Sequence, residues 1–232
     1  MNSESFIFLA GASRGVGREI AKYLREQGKM VKALLRSRSV SAGESPDTQA
    51  ELKAMGIEVV MGDALDAEAV KQAMSGSPIS AVISTIGGLP KDGERADYLG
   101  NKNLIDAAVQ AGVEKFILVS SIGSGNSRVA LPPQALETLG AVLVEKEKAE
   151  QHLIESGLNY TIIRPGGLKS EPATGNGILT ENYSVSGTIH RADVAQLACR
   201  CLQSPAANNK VLSALDNQMI WSQIEFEVLR LD

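Results

Sequence analysis

Short all-apolar runs alternate with stretches of helical periodicity almost from the first residue. Phe6–Ala10 is apolar at every position, as a strand buried on both faces of a parallel sheet must be. Gly15–Gln27 follows at helical spacing, with Gly28 placed to close it. Further strands are predicted at Met30–Leu35, Glu58–Met61, Ala81–Ile86, Lys115–Ser120 and Tyr160–Arg164, the last stopped by Pro165. Helices are predicted at Thr48–Met55, Ala67–Met74, Tyr98–Ala111 and Pro133–Ser156. Gly56, Gly112 and Gly157 end three of them. Ser41–Asp47, rich in Ser, Gly, Pro and acidic residues, reads as a loop. Beyond residue 166 the pattern is less regular. It predicts a helix at Ala192–Leu202, a strand at Lys210–Leu215, short strands within Ile178–Ile189, and a terminal strand or helix at Ile224–Leu231.

This order predicts an α/β fold of three layers, a doubly wound parallel sheet between helices. No linker composition divides the chain. One domain over residues 1–232 is expected, with a small substrate-side region at about 166–232.

Composition narrows the partners. A formal net charge of -4 disfavours nucleic acid, whose phosphates need a basic surface. Lys29, Lys32, Arg36 and Arg38 still suggest a local basic pocket. Cys199 and Cys201, about 200° apart around a helix, neither bridge nor converge on a metal; one is expected to face the core. The run after Met1–Ser5 is too short for a signal peptide or membrane span. A cytoplasmic protein without a membrane span, monomer or dimer, is the expectation. No metal-ligand cluster is visible.

The chemistry begins at Gly11-Ala12-Ser13-Arg14-Gly15-Val16-Gly17, between the first strand and first helix. Glycines there permit a tight turn, close approach of backbone to a pyrophosphate, and close helix–strand packing. The helix start offers N–H donors and positive dipole. This context predicts a dinucleotide-binding Rossmann fold. An NAD site usually places an acid at the end of the second strand, whereas here Arg36 stands 19 residues after Gly17. A guanidinium takes a ribose 2′-phosphate in a fork, so NADP(H) is the predicted cofactor, with Arg14 sharing the phosphate. Asp63 and Ala64 follow the third strand, where a side chain reaches the adenine edge; Asp63 alternatively caps the helix starting near Asp66. Ser84-Thr85-Ile86-Gly87-Gly88 keeps the crevice open where strand order reverses.

These segments resemble the short-chain dehydrogenase/reductase superfamily. So do the run Gly112–Ser121, the stretches Glu145–Glu150 and Ser156–Leu168, and His190–Ala195. The chain is most similar to the atypical NAD(P)H-binding branch that includes biliverdin reductase B and Tic62/NmrA-like proteins. The resemblance implies that Lys146 holds the nicotinamide ribose and that Pro165 lies near the nicotinamide. It implies catalytic roles for Ser120, at the end of the fifth strand, and for Lys146. It also implies a Tyr four residues before that lysine, where this chain has Val142, which has no proton to give. The expected coenzyme-binding set is Gly11, Ser13, Arg14, Gly15, Val16, Gly17, Arg36, Asp63, Ala64, Thr85, Gly87, Lys146 and Pro165. Arg164 is read as a structural ion-pair partner, Tyr160 as packing, and His152 as a solvated helix residue.

Two function classes follow. One is an NADPH-dependent oxidoreductase that transfers a hydride to a small organic or flavin-like acceptor. The other is a non-catalytic NADP(H) sensor. Substrate choice is expected to lie in Leu89–Asp97, Ser124–Leu139 and Lys169–Ile189.

Overall fold

The computed structural model describes residues 5–36, 47–87 and 95–231. Six strands run parallel: β1 (Phe6–Ala10), β2 (Val31–Leu35), β3 (Glu58–Met61), β4 (Ile79–Ser84), β5 (Lys115–Val119) and β6 (Asn159–Pro165). Four later strands follow: β7 (Gly167–Lys169), β8 (Gly177–Thr180), β9 (Thr188–His190) and β10 (Lys210–Asp216). β10 joins β6 in parallel, β8 lies antiparallel outside it, and β7 pairs with β9 in a separate two-stranded sheet. The main sheet has the order β3-β2-β1-β4-β5-β6-β10-β8. Its direction of winding reverses between β1 and β4, so a crevice opens there at the carboxyl ends of the strands.

The helices are α1 (Gly15–Glu26), α2 (Thr48–Ala54), α3 (Ala67–Met74), α4 (Leu99–Gln110), α5 (Pro133–Glu155) and α6 (Arg191–Gln203). Alternation along β1 sorts them into layers. Ile7 and Leu9 pack with Ile20 and Leu24 of α1 and Val194 of α6. Phe8 and Ala10 point the other way, against Leu104 of α4 and Leu153 of α5. A strand covered on both faces is nearly all apolar, which is why β1 reads as a continuous run and β5 does so after Lys115. Asp66, not Asp63, caps α3, its carboxylate accepting N–H bonds from Glu68 (3.0 Å) and Ala69 (3.1 Å).

Several expectations change. Pro165 does not stop β6 but is its last residue, opposite Ala214. A proline is tolerated at a strand end because Gly166 makes the next bond to Ala214. Residues 221–231 form no regular element. They lie along the β8 edge, where the Leu229 N–H meets the Leu179 carbonyl (2.7 Å), while Leu229 and Leu231 pack on the core. The basic cluster does not converge. Lys32 is buried at the amino end of β2 and paired with Glu58 (3.0 Å), whereas Arg36 follows the carboxyl end. Arg38 and residues 41–46 of the expected loop lie outside the described residues. Both cysteines are buried, not one, and burial pushes each thiol up to about 12.

Candidate coenzyme site

The glycine loop is built by close backbone contacts. Gly11 has φ +96°, and a Cβ on it would lie 2.3 Å from Thr85 Oγ1. A Cβ on Gly17 would lie 2.1 Å from the Gly11 carbonyl oxygen. The Thr85 hydroxyl lies within reach of the Ala10 (3.2 Å) and Gly11 (3.3 Å) carbonyls, tying the end of β4 to the loop. Arg14 stands at the N-cap of α1 in extended conformation, with no side-chain cap and no acidic residue in the first turn. The first N–H groups of α1 therefore keep their partial positive charge for an anion. Val16 is buried and packs in the core, so only its backbone serves the loop; Arg14 is exposed.

At the adenosine end, the exposed Arg36 faces Asp63, Nη1 to Oδ2 3.9 Å. Asp63 also accepts the Leu65 N–H (3.0 Å). Ala64 is buried, its carbonyl accepting from Asn103 Nδ2 (2.9 Å), which anchors this turn to α4.

At the other end, Gly87 is exposed while Lys146 and Asp97 lie behind it. Lys146 Nζ is 3.4 Å from Asp97 Oδ1. A Cβ on Gly87 would meet both groups, at 2.9 Å and 2.6 Å. Val142, half-buried, stands one turn before Lys146 on α5. Ser120, expected to meet an acceptor, instead donates its hydroxyl to the buried Glu150. Glu150 in turn takes Arg164 Nη2 (2.6 Å) and Nε (3.2 Å), so Arg164 is the structural ion-pair partner expected of it. Ser121 donates to the Ile122 carbonyl (2.9 Å). Pro165 is buried. At Gly166 the close neighbour is protein: a Cβ there would lie 2.4 Å from the Gly187 carbonyl oxygen. Gly88 and residues 89–94 lie outside the described residues.

The structure thus brings together Gly11, Gly15, Gly17, Thr85, Gly87 and Lys146 at the β1–β4 crevice, with Arg36 and Asp63 at its side. Sequence reasoning missed Asp97, Glu150 and Arg191. Arg191 starts α6 and reaches within 3.7 Å of where a Gly15 Cβ would stand, holding Ser170 Oγ (2.7 Å). It also missed the cluster of His190, Asp193 and Asp216, whose potential ligand atoms lie within 4.8 Å of one another. Those carboxylates already accept N–H bonds from Thr174, Gly175 and Gln218, so the cluster fastens the segment between β7 and β8.

A doubly wound sheet, a glycine loop at its switch point and an uncapped helix start define a Rossmann-type nicotinamide-coenzyme protein. Residues 11–205 match the NAD(P)H-binding family, and the chain belongs to it. The chain is 34% identical over 215 residues to the chloroplastic Arabidopsis thaliana protein At2g34460, covering 89% of this chain and 75% of that one. It is 32% identical over 226 residues to the chloroplastic Arabidopsis protein TIC 62, covering 90% of this chain but only 34% of TIC 62. Among solved structures, ChuY, an anaerobillin reductase from Escherichia coli O157:H7, superposes with a TM-score of 0.81 at 33% identity. That match covers 94% of this chain and all of ChuY. The oxidoreductase-like fold and the atypical short-chain dehydrogenase/reductase assignment follow. The cytoplasmic expectation does not stand, since both Arabidopsis relatives are chloroplastic. Two buried cysteines and a non-basic start say nothing about compartment. Among the described residues, no helix is long and apolar enough to cross a membrane.

Proposed function

We propose that this chain is an NADPH-dependent reductase that passes a hydride to a small conjugated acceptor and dispenses with a protein proton donor. One observation carries the reading. The uncapped start of α1, the Thr85-locked glycine loop and Lys146 converge on one crevice, and the helix position that could carry a phenol there holds Val142.

Bound NADPH would supply the hydride. The backbone of Gly11–Gly17 binds the pyrophosphate through the α1 N–H groups. Arg36 takes the ribose 2′-phosphate. Its contact with Asp63, exposed and 3.9 Å long, contributes little and is readily exchanged for two charge-assisted bonds. Lys146 directs its ammonium to the nicotinamide ribose. Gly87 lets the coenzyme approach that ammonium. The similarity to ChuY favours an acceptor of the anaerobillin kind.

Steady-state NADPH oxidation with FMN, quinones, anaerobillin and simple aldehydes tests this. Turnover is expected on conjugated acceptors. Aldehydes, which need a proton at the nascent alkoxide, should react ~100-fold or more slowly for want of general-acid help. Val142, together with Ser120 turned to Glu150, favours a second reading, a non-catalytic NADP(H) sensor. Tight coenzyme binding with no turnover on any acceptor would select it.

A further inference from the structure

Asp97 lies in the turn before α4, and its side chain is fully buried. Among the described residues, neither carboxylate oxygen has a hydrogen-bond partner. A buried carboxylate without donors is strongly disfavoured unless an opposite charge stands close by. The partner that the structure gives it is the Lys146 ammonium, 3.4 Å from Oδ1. Glu150, one turn further along α5 from Lys146, is engaged by Arg164 and Ser120. The Asp97–Lys146 pair sits directly behind exposed Gly87, where an added Cβ would touch both groups.

We propose that Asp97 is a positioning residue for Lys146, an inference that rests on the coenzyme-site reading above. An ammonium has three donors; the charge of Asp97 draws the group to one side and leaves donors for the ribose hydroxyls. With valine at position 142, no phenol is available to share the ribose, so the aim of this one ammonium decides how the nicotinamide half is held. Asp97 touches neither coenzyme nor acceptor; it acts through Lys146.

The test compares two ligands. NADPH carries both halves of the coenzyme, while adenosine 2′,5′-bisphosphate carries only the phosphorylated adenosine half. Asp97→Asn should weaken NADPH binding by about tenfold, the scale of one charge-assisted contact, and leave the bisphosphate unchanged. In a Lys146→Met background the same substitution should add nothing. An unchanged NADPH affinity, an equal loss for both ligands, or an equal loss in the Lys146→Met background overturns the proposal. A wild-type chain that binds neither ligand overturns the coenzyme-site reading and the proposal together. If Asp97→Asn alone fails to fold, melting decides. Lys146→Met strands a buried carboxylate and should lower the melting temperature, and adding Asp97→Asn should restore much of it. Absence of that rescue shows that the two groups do not depend on one another.

Discussion

In the proposed reading, Arg36 is the residue on which the choice between the two nicotinamide coenzymes turns. Its guanidinium is exposed at the end of β2, where among the described residues it faces Asp63 across a long contact. A 2′-phosphate there gains charge-assisted bonds worth about 1.5–3 kcal/mol, so Arg36→Ala should weaken NADPH binding by about 10- to 100-fold. NADH affinity should stay within a few-fold, since NADH has nothing for the guanidinium to hold. Parallel titrations of both coenzymes check this, and an equal loss for each would remove Arg36 from phosphate recognition. Gly17 differs in kind, because its missing side chain is what counts. A Cβ would fall on the Gly11 carbonyl oxygen and close to Thr85 Oγ1, so the loop and α1 could not meet.

At the scale of elements, α4 and α5 are joined by a side-chain hydrogen bond across their contact. Asp106 of α4 meets His152 of α5 (2.7 Å) and Lys102 one turn earlier (2.6 Å). His152 is therefore an inter-helix partner and not the solvated residue its charged neighbours suggested. Burial alone pushes the Asp106 carboxyl up, but bonds from Lys102 and His152 and their charges bring it below the usual aspartate value. A lowered folded pKa contributes stability that is present above the unfolded value near 4 and lost as pH falls through the folded one. Asp106→Asn should thus be less stable than wild type at pH 6, and the gap should close below about pH 4. Denaturant midpoints across that range give the measurement. Added salt should narrow the gap as well, because the pair is partly exposed.

Over the whole molecule, the two-sided core controls reactivity as well as stability. α6 carries Cys199 and Cys201 into the cluster shared with α1 and β1. Burial holds both thiols at about 12, so at pH 8 they carry about a thousandfold less thiolate than free cysteine does. Iodoacetamide should leave both unmodified in the native protein and label both promptly in denaturant, read by mass. Rapid labelling without denaturant would mean that α6 opens from the sheet far more readily than this packing implies.

The layer architecture, the six parallel strands, the glycine loop and the α3 start were legible along the chain. Each depends on local periodicity or on backbone freedom that a few neighbouring residues specify. Tertiary structure alone decided where single polar side chains turned. Asp97 sits in a stretch without period, and only the return of α5 brings Lys146 to it, 49 residues later. Ser120 looked like an acceptor contact until Glu150 and Arg164 met beneath it. Ile224–Leu231 had the composition of a strand or helix, yet it settled irregularly, with Leu229 bonded to the β8 edge and Leu229 and Leu231 packed on the core. Sequence by itself determined what repeats over a few residues. Contacts that close across dozens of residues have no local signature, since burial and pairing there depend on which distant element arrives.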